Sequence, residues 1–339
     1  MKEKVLVTGS AGFIGYHLCN RLINENYEVI GLDNLNDYYD VSLKKSRNQI
    51  LNSMSKDREN KYSFYKVDIA DLEMVKNIFK SEKPKIIINL AAQAGVRYSI
   101  ENPYSYGDSN LIGFLNILEC CRKFNVKHLL YASSSSVYGG NKKLPFCETD
   151  FVDNPISLYA ATKKANELMA NAYSHLYNIP STGLRFFTVY GPWGRPDMAP
   201  MIFANAMLKK KTINIFNYGN MQRDFTYIDD IVESLFRLIN RSPDNSEKKV
   251  VNFKDTLSNA PHQIFNIGNS KKIKLMDFIE ELEKCFNIKA DKKFLEIQPG
   301  DVESTFADCS KLEKYIDFKP NTKLSDGINK FANWCKEYY

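Results

Sequence analysis

Through the first half of the chain, short apolar runs of strand length alternate with longer stretches in which apolar positions recur every three or four residues. The runs predict strands over 4–8, 27–33, 63–68, 85–91, 127–133 and 181–186, and the periodic stretches predict helices over 12–26, 41–54, 72–81, 104–124 and 157–177. Strand and helix in strict alternation build a parallel sheet covered by helices on both faces, so the pattern predicts a doubly wound α/β fold.

After Gly191 the alternation breaks. Pro192, Pro196 and Pro200 punctuate a loop, and shorter strands and helices follow. The chain therefore divides into a first domain over 1–190 and a smaller C-terminal α/β domain over 191–339, with some of the later segments expected to return to the first sheet. The stretch 241–261 is polar and rich in Ser, Asn, Asp and Lys, which predicts a surface loop or insertion. A length of 339 residues suits this arrangement of one large sheet with an appendage.

Composition narrows the partners. Hydrophobic residues are 44% and charged residues 25%, so the chain can bury a sizeable core and disorder is not expected. The formal charge of +6 comes from 46 basic and 40 acidic residues that are scattered along the chain. Lysine runs such as Lys209-Lys210-Lys211 fit the solvated end of a helix, and no nucleic-acid motif is present, so a small anionic substrate fits better than nucleic acid. The seven cysteines include no C-x-x-C pair, which argues for reduced thiols and against a disulfide framework. His17, His128, His175 and His262 are isolated, so no metal site is expected. Residues 1–4 lead straight into the first strand, which leaves no room for a signal peptide, and no apolar run reaches the ~18 residues of a membrane span. A cytoplasmic protein is expected.

Candidate chemistry begins at Thr8-Gly9-Ser10-Ala11-Gly12-Phe13-Ile14-Gly15, which follows a strand and opens a helix. Gly9 permits the tight turn, Gly12 lets backbone approach a pyrophosphate, Gly15 lets helix pack on strand, and the helix N-terminus faces the anion. This is the fingerprint of a dinucleotide-binding Rossmann sheet, with Phe13 and Ile14 in the first turn. The second strand ends in Asp33, followed by Asn34 and Asn36. A carboxylate there accepts hydrogen bonds from ribose hydroxyls and repels a 2′-phosphate, favouring NAD over NADP; the alternative is a capping role. Asp68 and Ile69, after the third strand, are placed to reach the adenine, and Leu90, Ala91 and Ala92 close the fourth strand with small residues over which a cofactor can lie.

Tyr159-Ala160-Ala161-Thr162-Lys163 sets Tyr159 and Lys163 four apart, on one face of a helix. A phenol titrates near ~10 and is a poor base at neutral pH unless a cation lowers it, and Lys163 is that cation. Ser133-Ser134-Ser135-Ser136-Val137-Tyr138-Gly139 ends the fifth strand, where a hydroxyl can meet a substrate.

The glycine fingerprint, S-S-S-S-V-Y-G, Y-A-A-T-K and L-R-F-F-T-V-Y-G-P together resemble the extended short-chain dehydrogenase/reductase family. The likeness runs over nearly the whole chain. G-L-D-N-L-N-D-Y-Y-D-V (31–41), A-G-V-R-Y-S (94–99), G-P-W-G-R-P-D-M-A (191–199) and R-D-F-T-Y-I-D-D (223–230) are similar to the UDP-glucuronate 4-epimerases within it. The resemblance implies that Ser134 and Tyr159 hold the reacting hydroxyl, with Ser135 and Ser136 beside them. Related 4,6-dehydratases carry Asp-Glu at 135–136, and decarboxylases a Glu just before V-Y-G, so the acid/base pair for elimination is missing here. What remains is oxidation to a 4-keto sugar and return of hydride to its other face, with NAD bound throughout and the protein supplying orientation and charge.

The resemblance also places the UDP-sugar. Arg223 matches the arginine that grips the diphosphate, Asp301 the acid on the uridine ribose, and Phe216 the aromatic against uracil. Alternatively, Arg223 pairs with Asp224 or Asp229, and Phe216 is core. Thr188 stands where galactose epimerases carry Asn. Beside it in the proline-rich loop is Arg195, whose planar fork suits a uronate carboxylate unless it pairs with Asp197. Arg97 can serve phosphate or carboxylate. The expected activity is 4-epimerisation of UDP-glucuronate to UDP-galacturonate by a homodimer joined through helices 104–124 and 157–177. The alternatives are a UDP-glucose or UDP-N-acetylhexosamine 4-epimerase, and a non-catalytic NAD-binding regulatory protein.

Overall fold

The computed structural model describes residues 3–56, 62–244, 249–250, 257–258, 260–298 and 302–339. Strands β1 (Val5–Thr8), β2 (Val29–Asp33), β3 (Tyr62–Lys66), β4 (Ile86–Asn89), β5 (His128–Ser134) and β6 (Ser181–Phe186) form one parallel sheet. Its order is β3-β2-β1-β4-β5-β6, and a seventh strand, His262–Ile267, extends it beyond β6. The strand order reverses between β1 and β4. Ligands of open α/β sheets bind at that reversal, beyond the carboxyl ends of the strands.

Side chains alternate across the sheet into two apolar layers. Val5, Val7, Val29, Ile86, Ile88, Leu130 and Leu184 face one layer, with Leu18 and Leu22 of α1 (Phe13–Asn24), Leu51 of α2 (Val41–Lys56) and the helix Ile228–Ile239. Leu6, Ile30, Leu32, Ile87, Leu129 and Tyr131 face the other, with Val75 and Phe79 of α3 (Leu72–Glu82). Burial on both faces is why β1, β2 and β4 are near-continuous apolar runs.

The second of these layers also holds the one helix that departs from expectation. A continuous helix over 104–124 would bury Asn110 with no partner for its amide. The chain instead runs through α4 (Tyr98–Glu101), α5 (Pro103–Tyr106), a π-helical turn at Gly107–Ile112 and α6 (Gly113–Lys123). The wide turn aims Asn110 inward, where its side chain accepts from Gln93 N at 2.8 Å and donates to Gln93 O and Thr162 Oγ1 at 3.0 Å. That pins the segment after β4 to helix α7 (Leu158–Tyr177). α7 starts where Ser157 caps the amide of Ala160 at 3.1 Å.

Beyond β6 the chain builds a smaller layer. Strand Thr188–Tyr190 pairs with Phe225–Tyr227, strand Ile213–Ile215 with Lys292–Phe294, and helices Ala199–Leu208, Leu275–Phe286 and Leu324–Tyr338 pack around them. Asp224, fully buried, accepts the amides of Asn269, Ser270 and Ala307 and the Thr226 hydroxyl, tying three loops together. Within 241–261, Lys249–Val250 pairs antiparallel with Leu257–Ser258, and the rest of that insertion beyond residue 244 lies outside the described residues up to Ala260.

One buried ion pair joins the sheet to α7. Glu167 and Arg185, 2% exposed each, meet at 2.8 and 2.9 Å. Glu167→Ala strands a guanidinium in the interior and should cost about 3–5 kcal/mol. Lys76→Ala breaks only the exposed pair with Glu73 and should cost less than about 1 kcal/mol. Urea midpoints of the two variants measure the contrast.

Candidate active site

A cleft of about 1010 Å³ opens over the carboxyl ends of the strands and runs from the glycine loop to the second layer. It is one continuous space. Gly9, Gly12, Phe13, Ile14, Gly15, Asp33, Asn34, Asn36, Asp68, Ile69, Leu90, Ala91 and Ala92 line one half. Ser134, Ser135, Ser136, Tyr159 and Lys163 line the middle, and Arg97, Thr188, Arg195, Phe216 and Arg223 the far half. Of the residues singled out in the sequence, Asp301 alone lies outside the described residues.

In the first half, Gly9 takes a left-handed φ of +70°, and a Cβ there would come within 2.9 Å of the Ala91 amide nitrogen. At Gly15 a Cβ would overlap Gly9 O at 2.1 Å, so helix α1 can approach the loop only without side chains. Gly12 caps α1 with no side chain, leaving first-turn amides for an anion. Asp33 accepts the amides of Ala11 at 3.1 Å and Leu35 at 2.8 Å. It therefore braces the glycine loop while facing the cleft, and burial raises its carboxyl above the usual range. Asn34 donates to Asp68 at 2.8 Å, joining the ends of β2 and β3. A dinucleotide fits this geometry: a side-chain-free turn for the pyrophosphate, and a buried acceptor at the end of the second strand.

At the centre, the Ser134 hydroxyl accepts the Ser136 amide at 3.1 Å and donates to Ser136 Oγ at 3.2 Å. Burial raises the Tyr159 pKa, opposed by the nearby Ser134 hydroxyl and by the charge of Arg195. Lys163, 3% exposed, donates to Ala132 O at 2.9 Å, and burial pushes its ammonium down to about 8. Burial thus moves the two groups in opposite senses, the phenol up and the ammonium down, each toward its neutral form at the wall of the cleft.

In the far half, Arg195 grips Asp197 through Nε at 3.1 Å and through its terminal nitrogen, and the Tyr38 hydroxyl donates to the same carboxylate at 3.1 Å. Arg97 stacks on Phe216, its guanidinium carbon 5.0 Å from the ring centre. Arg223 donates to the carbonyls of Gln222 and Glu303 at 2.8 and 3.1 Å.

Several lining residues escaped the sequence reading. Tyr38 and Tyr39 sit inside a motif already noted, and the doubled aromatic in a polar loop is the signal that could have marked them. Lys44, 5% exposed, donates to both Asn36 oxygens from a helix that reads as ordinary surface. Nothing in its neighbours' spacing points inward.

A family model described as GDP-mannose 4,6 dehydratase matches residues 6–331. The chain belongs to this family of extended short-chain dehydrogenase/reductases. Protein CapI of Staphylococcus aureus is 53% identical over 99% of both chains. A probable UDP-glucuronate 4-epimerase of Rhizobium meliloti is 46% identical, with 99% of this chain and 98% of that protein covered. The crystal structure of UDP-glucuronic acid 4-epimerase from Bacillus cereus, in complex with UDP-glucuronic acid and NAD, superposes with a TM-score of 0.86 at 33% identity, covering 99% of this chain and all of that one. No helix among the described residues is long and apolar enough to cross a membrane, and no group of three or more His, Cys, Asp or Glu among them could hold a metal.

The depressed Lys163 ammonium has a consequence for stability. Folding lowers its pKa from 10.5 to about 8, so the folded state is penalised while both states are protonated, below about pH 8, and the penalty fades as pH rises to 10.5. Against Lys163→Met, the parent protein should gain about 3 kcal/mol of relative stability between pH 7.5 and 10.5. Paired urea titrations at the two pH values read this, and a flat difference would refute the burial argument.

Proposed function

We propose that this enzyme interconverts UDP-glucuronate and UDP-galacturonate by inverting C4 through a 4-keto sugar. The observation that carries it is the central trio: Ser134, Tyr159 and Lys163 line the middle of one cleft, between a dinucleotide loop and an arginine-lined far half. Tyr159 accepts the proton of the C4 hydroxyl as C4 is oxidised and returns it to the C4 oxygen on reduction. Ser134 hydrogen-bonds the same oxygen and holds it against the phenol. Lys163 keeps a positive charge below the phenolate, favouring its ionised form. NAD, when bound, supplies the reversible two-electron acceptor that opens and recloses the C4–H bond. Gly9, Gly12, Phe13, Ile14 and Gly15 are placed for its pyrophosphate, Asp33, Asn34 and Asn36 for ribose, Asp68 and Ile69 for adenine, and Leu90, Ala91 and Ala92 for its flat passage across the sheet.

At the substrate end, Arg223 and Arg97 serve the diphosphate region, Phe216 and Asp301 the uridine, and Arg195 with Thr188 the sugar carboxylate. Ser135 and Ser136 complete the sugar pocket without supplying the carboxylates that elimination needs. The Arg195–Asp197 pair favours a second reading, a neutral-sugar epimerase, because the guanidinium fork is already engaged. A uronate must share or displace that carboxylate.

Two finer statements belong to the same reading. The enzyme works as a homodimer through α5 to α7, where Tyr104, Ile112, Leu168 and Leu176 stand exposed, and it resides in the cytosol, consistent with seven free thiols. Sedimentation should give twice the chain mass, with Leu168→Glu shifting it to the monomer.

The activity test is direct. Purified protein given UDP-glucuronate and no added NAD should form UDP-galacturonate, and Tyr159→Phe should slow this by at least about a hundredfold. Turnover of UDP-glucose without uronate turnover would overturn the substrate assignment. Arg195→Ala should raise KM for UDP-glucuronate about tenfold or more while bound NAD stays constant.

A further inference from the structure

Arg47, on α2, is fully buried and takes part in no chemistry described above. All four of its recorded bonds go to neutral oxygens. One terminal nitrogen donates to Ala11 O of the glycine loop and to Tyr39 Oη, both at 2.9 Å. The other donates to Trp193 O, and to Gly194 O at 3.2 Å. Its Nε has no partner. An interior guanidinium with no hydrogen-bonded carboxylate is costly to keep even though it feels the charge of Asp33, and hydrophobic packing of the same volume would hold helix to loop at less cost. Its charge and fork shape therefore point to a role besides filling space.

The segment it holds is irregular and carries Arg195. Trp193 sits at φ +60°, a conformation that a bulky residue keeps only when its surroundings impose it. The impositions are visible. The Trp193 ring lies 5.6 Å from Tyr16, 5.3 Å from Trp334 and 5.0 Å from Tyr338, and His17 bonds Pro192 O at 2.9 Å. These contacts fix the ring and the entry to the loop. Among the described residues, Arg47 alone hydrogen-bonds the carbonyls immediately before Arg195 and ties them to the backbone of the glycine loop.

We propose that Arg47 is a positioning residue for sugar specificity: it locks the Trp193–Gly194 backbone to the glycine loop and so sets where the Arg195 guanidinium meets the sugar carboxylate. The inference rests on Arg195 serving that carboxylate. A loop released at residues 193 and 194 lets the Arg195–Asp197 pair shift as a unit, out of register with a uronate. A neutral sugar makes no such demand and binds as before.

The test compares dissociation constants of UDP-glucuronate and UDP-glucose by calorimetry, in a Tyr159→Phe background so that no turnover occurs. The background protein must prefer UDP-glucuronate; if it binds both alike, the uronate reading fails before Arg47 is probed. Arg47→Met and Arg47→Lys are then measured, the lysine being too short in its fork to reach both loops and serving if the methionine variant does not fold. Each should cut the preference about tenfold, mainly by weakening uronate binding, and in an Arg195→Ala protein the same changes should have no further effect on it. NAD retained on purification, released by heat and quantified, reports separately on the glycine-loop end. An unchanged preference in a folded variant, whether Tm or NAD content falls or not, overturns the proposal and leaves Arg47 as a support for the fold or the cofactor loop.

Discussion

The Glu167 carboxylate is the point on which the reacting corner hangs. It accepts the Ser133 hydroxyl at 2.6 Å and both faces of the Arg185 fork, so one side chain of α7 fixes the end of β5 and the middle of β6. Tyr159, Lys163 and Glu167 follow one another at four-residue steps on a single helical face. Lys163 binds Ala132 O and Glu167 binds Ser133, the two residues before Ser134. The separation of Tyr159 from Ser134 is thus inherited from two buried contacts. Arg185 passes the constraint on: it donates to Tyr138, whose hydroxyl donates to Asn266 at 2.6 Å on the seventh strand. Buried charge is costly, but here the carboxylate and fork are mutually satisfied, and what is gained is a fixed geometry.

This explains what could be read directly from the chain. Local chemistry was legible wherever one short segment has to do a job alone. The glycine loop must turn tightly and lie against a helix, and the phenol and ammonium must share a helical face, so their spacing is written in consecutive residues. Strands β1, β2 and β4 were legible because burial on both faces demands near-continuous apolar runs. Contacts that span the chain were not. The seventh strand, H-Q-I-F-N-I, has polar residues at 262, 263 and 266 that bond Tyr131, Thr182 and Phe146 O across the fold, and these mask the edge strand of the sheet. The π-helical turn follows from one buried amide, Asn110, whose partners at 93 and 162 no local pattern reveals. Lys44 and Arg47 belong to an amphipathic helix on which basic residues usually face water. Their inward turn depends on oxygens supplied by Asn36, Ala11 and the 193–194 loop.

The match to a dehydratase-described family model alongside relatives named as epimerases marks where the fold stops deciding the reaction. Loop, sheet and Tyr–Lys pair serve oxidation of a sugar carbon in either case. The outcome turns on the next two positions. Here Ser135 and Ser136 occupy a 3₁₀ turn, and the Ser136 amide and hydroxyl both bond Ser134. Ser136 thereby orients Ser134, the residue we propose meets the reacting hydroxyl, and its short side chain provides no carboxyl to carry a proton to a leaving hydroxyl. An oxidised sugar beside Ser134 finds no carboxyl at 135 or 136 to eliminate against, so the remaining course is reduction back to an alcohol.

On the proposed assignment of Arg195, which sugar enters is decided at the other end of the cleft by a contest between two carboxylates. Asp197 already holds the Arg195 fork, and Tyr38 supports Asp197 from the far side. A uronate that reaches Arg195 does so against this internal competitor, and it gains only if the guanidinium can serve both acids at once. A planar group with five donors can do so when its backbone is held still, since each carboxylate takes a different edge. Selectivity for a charged sugar therefore depends less on the presence of an arginine than on the rigidity of the loop bearing it. In this molecule that rigidity comes from a buried cation anchored in the cofactor half of the cleft.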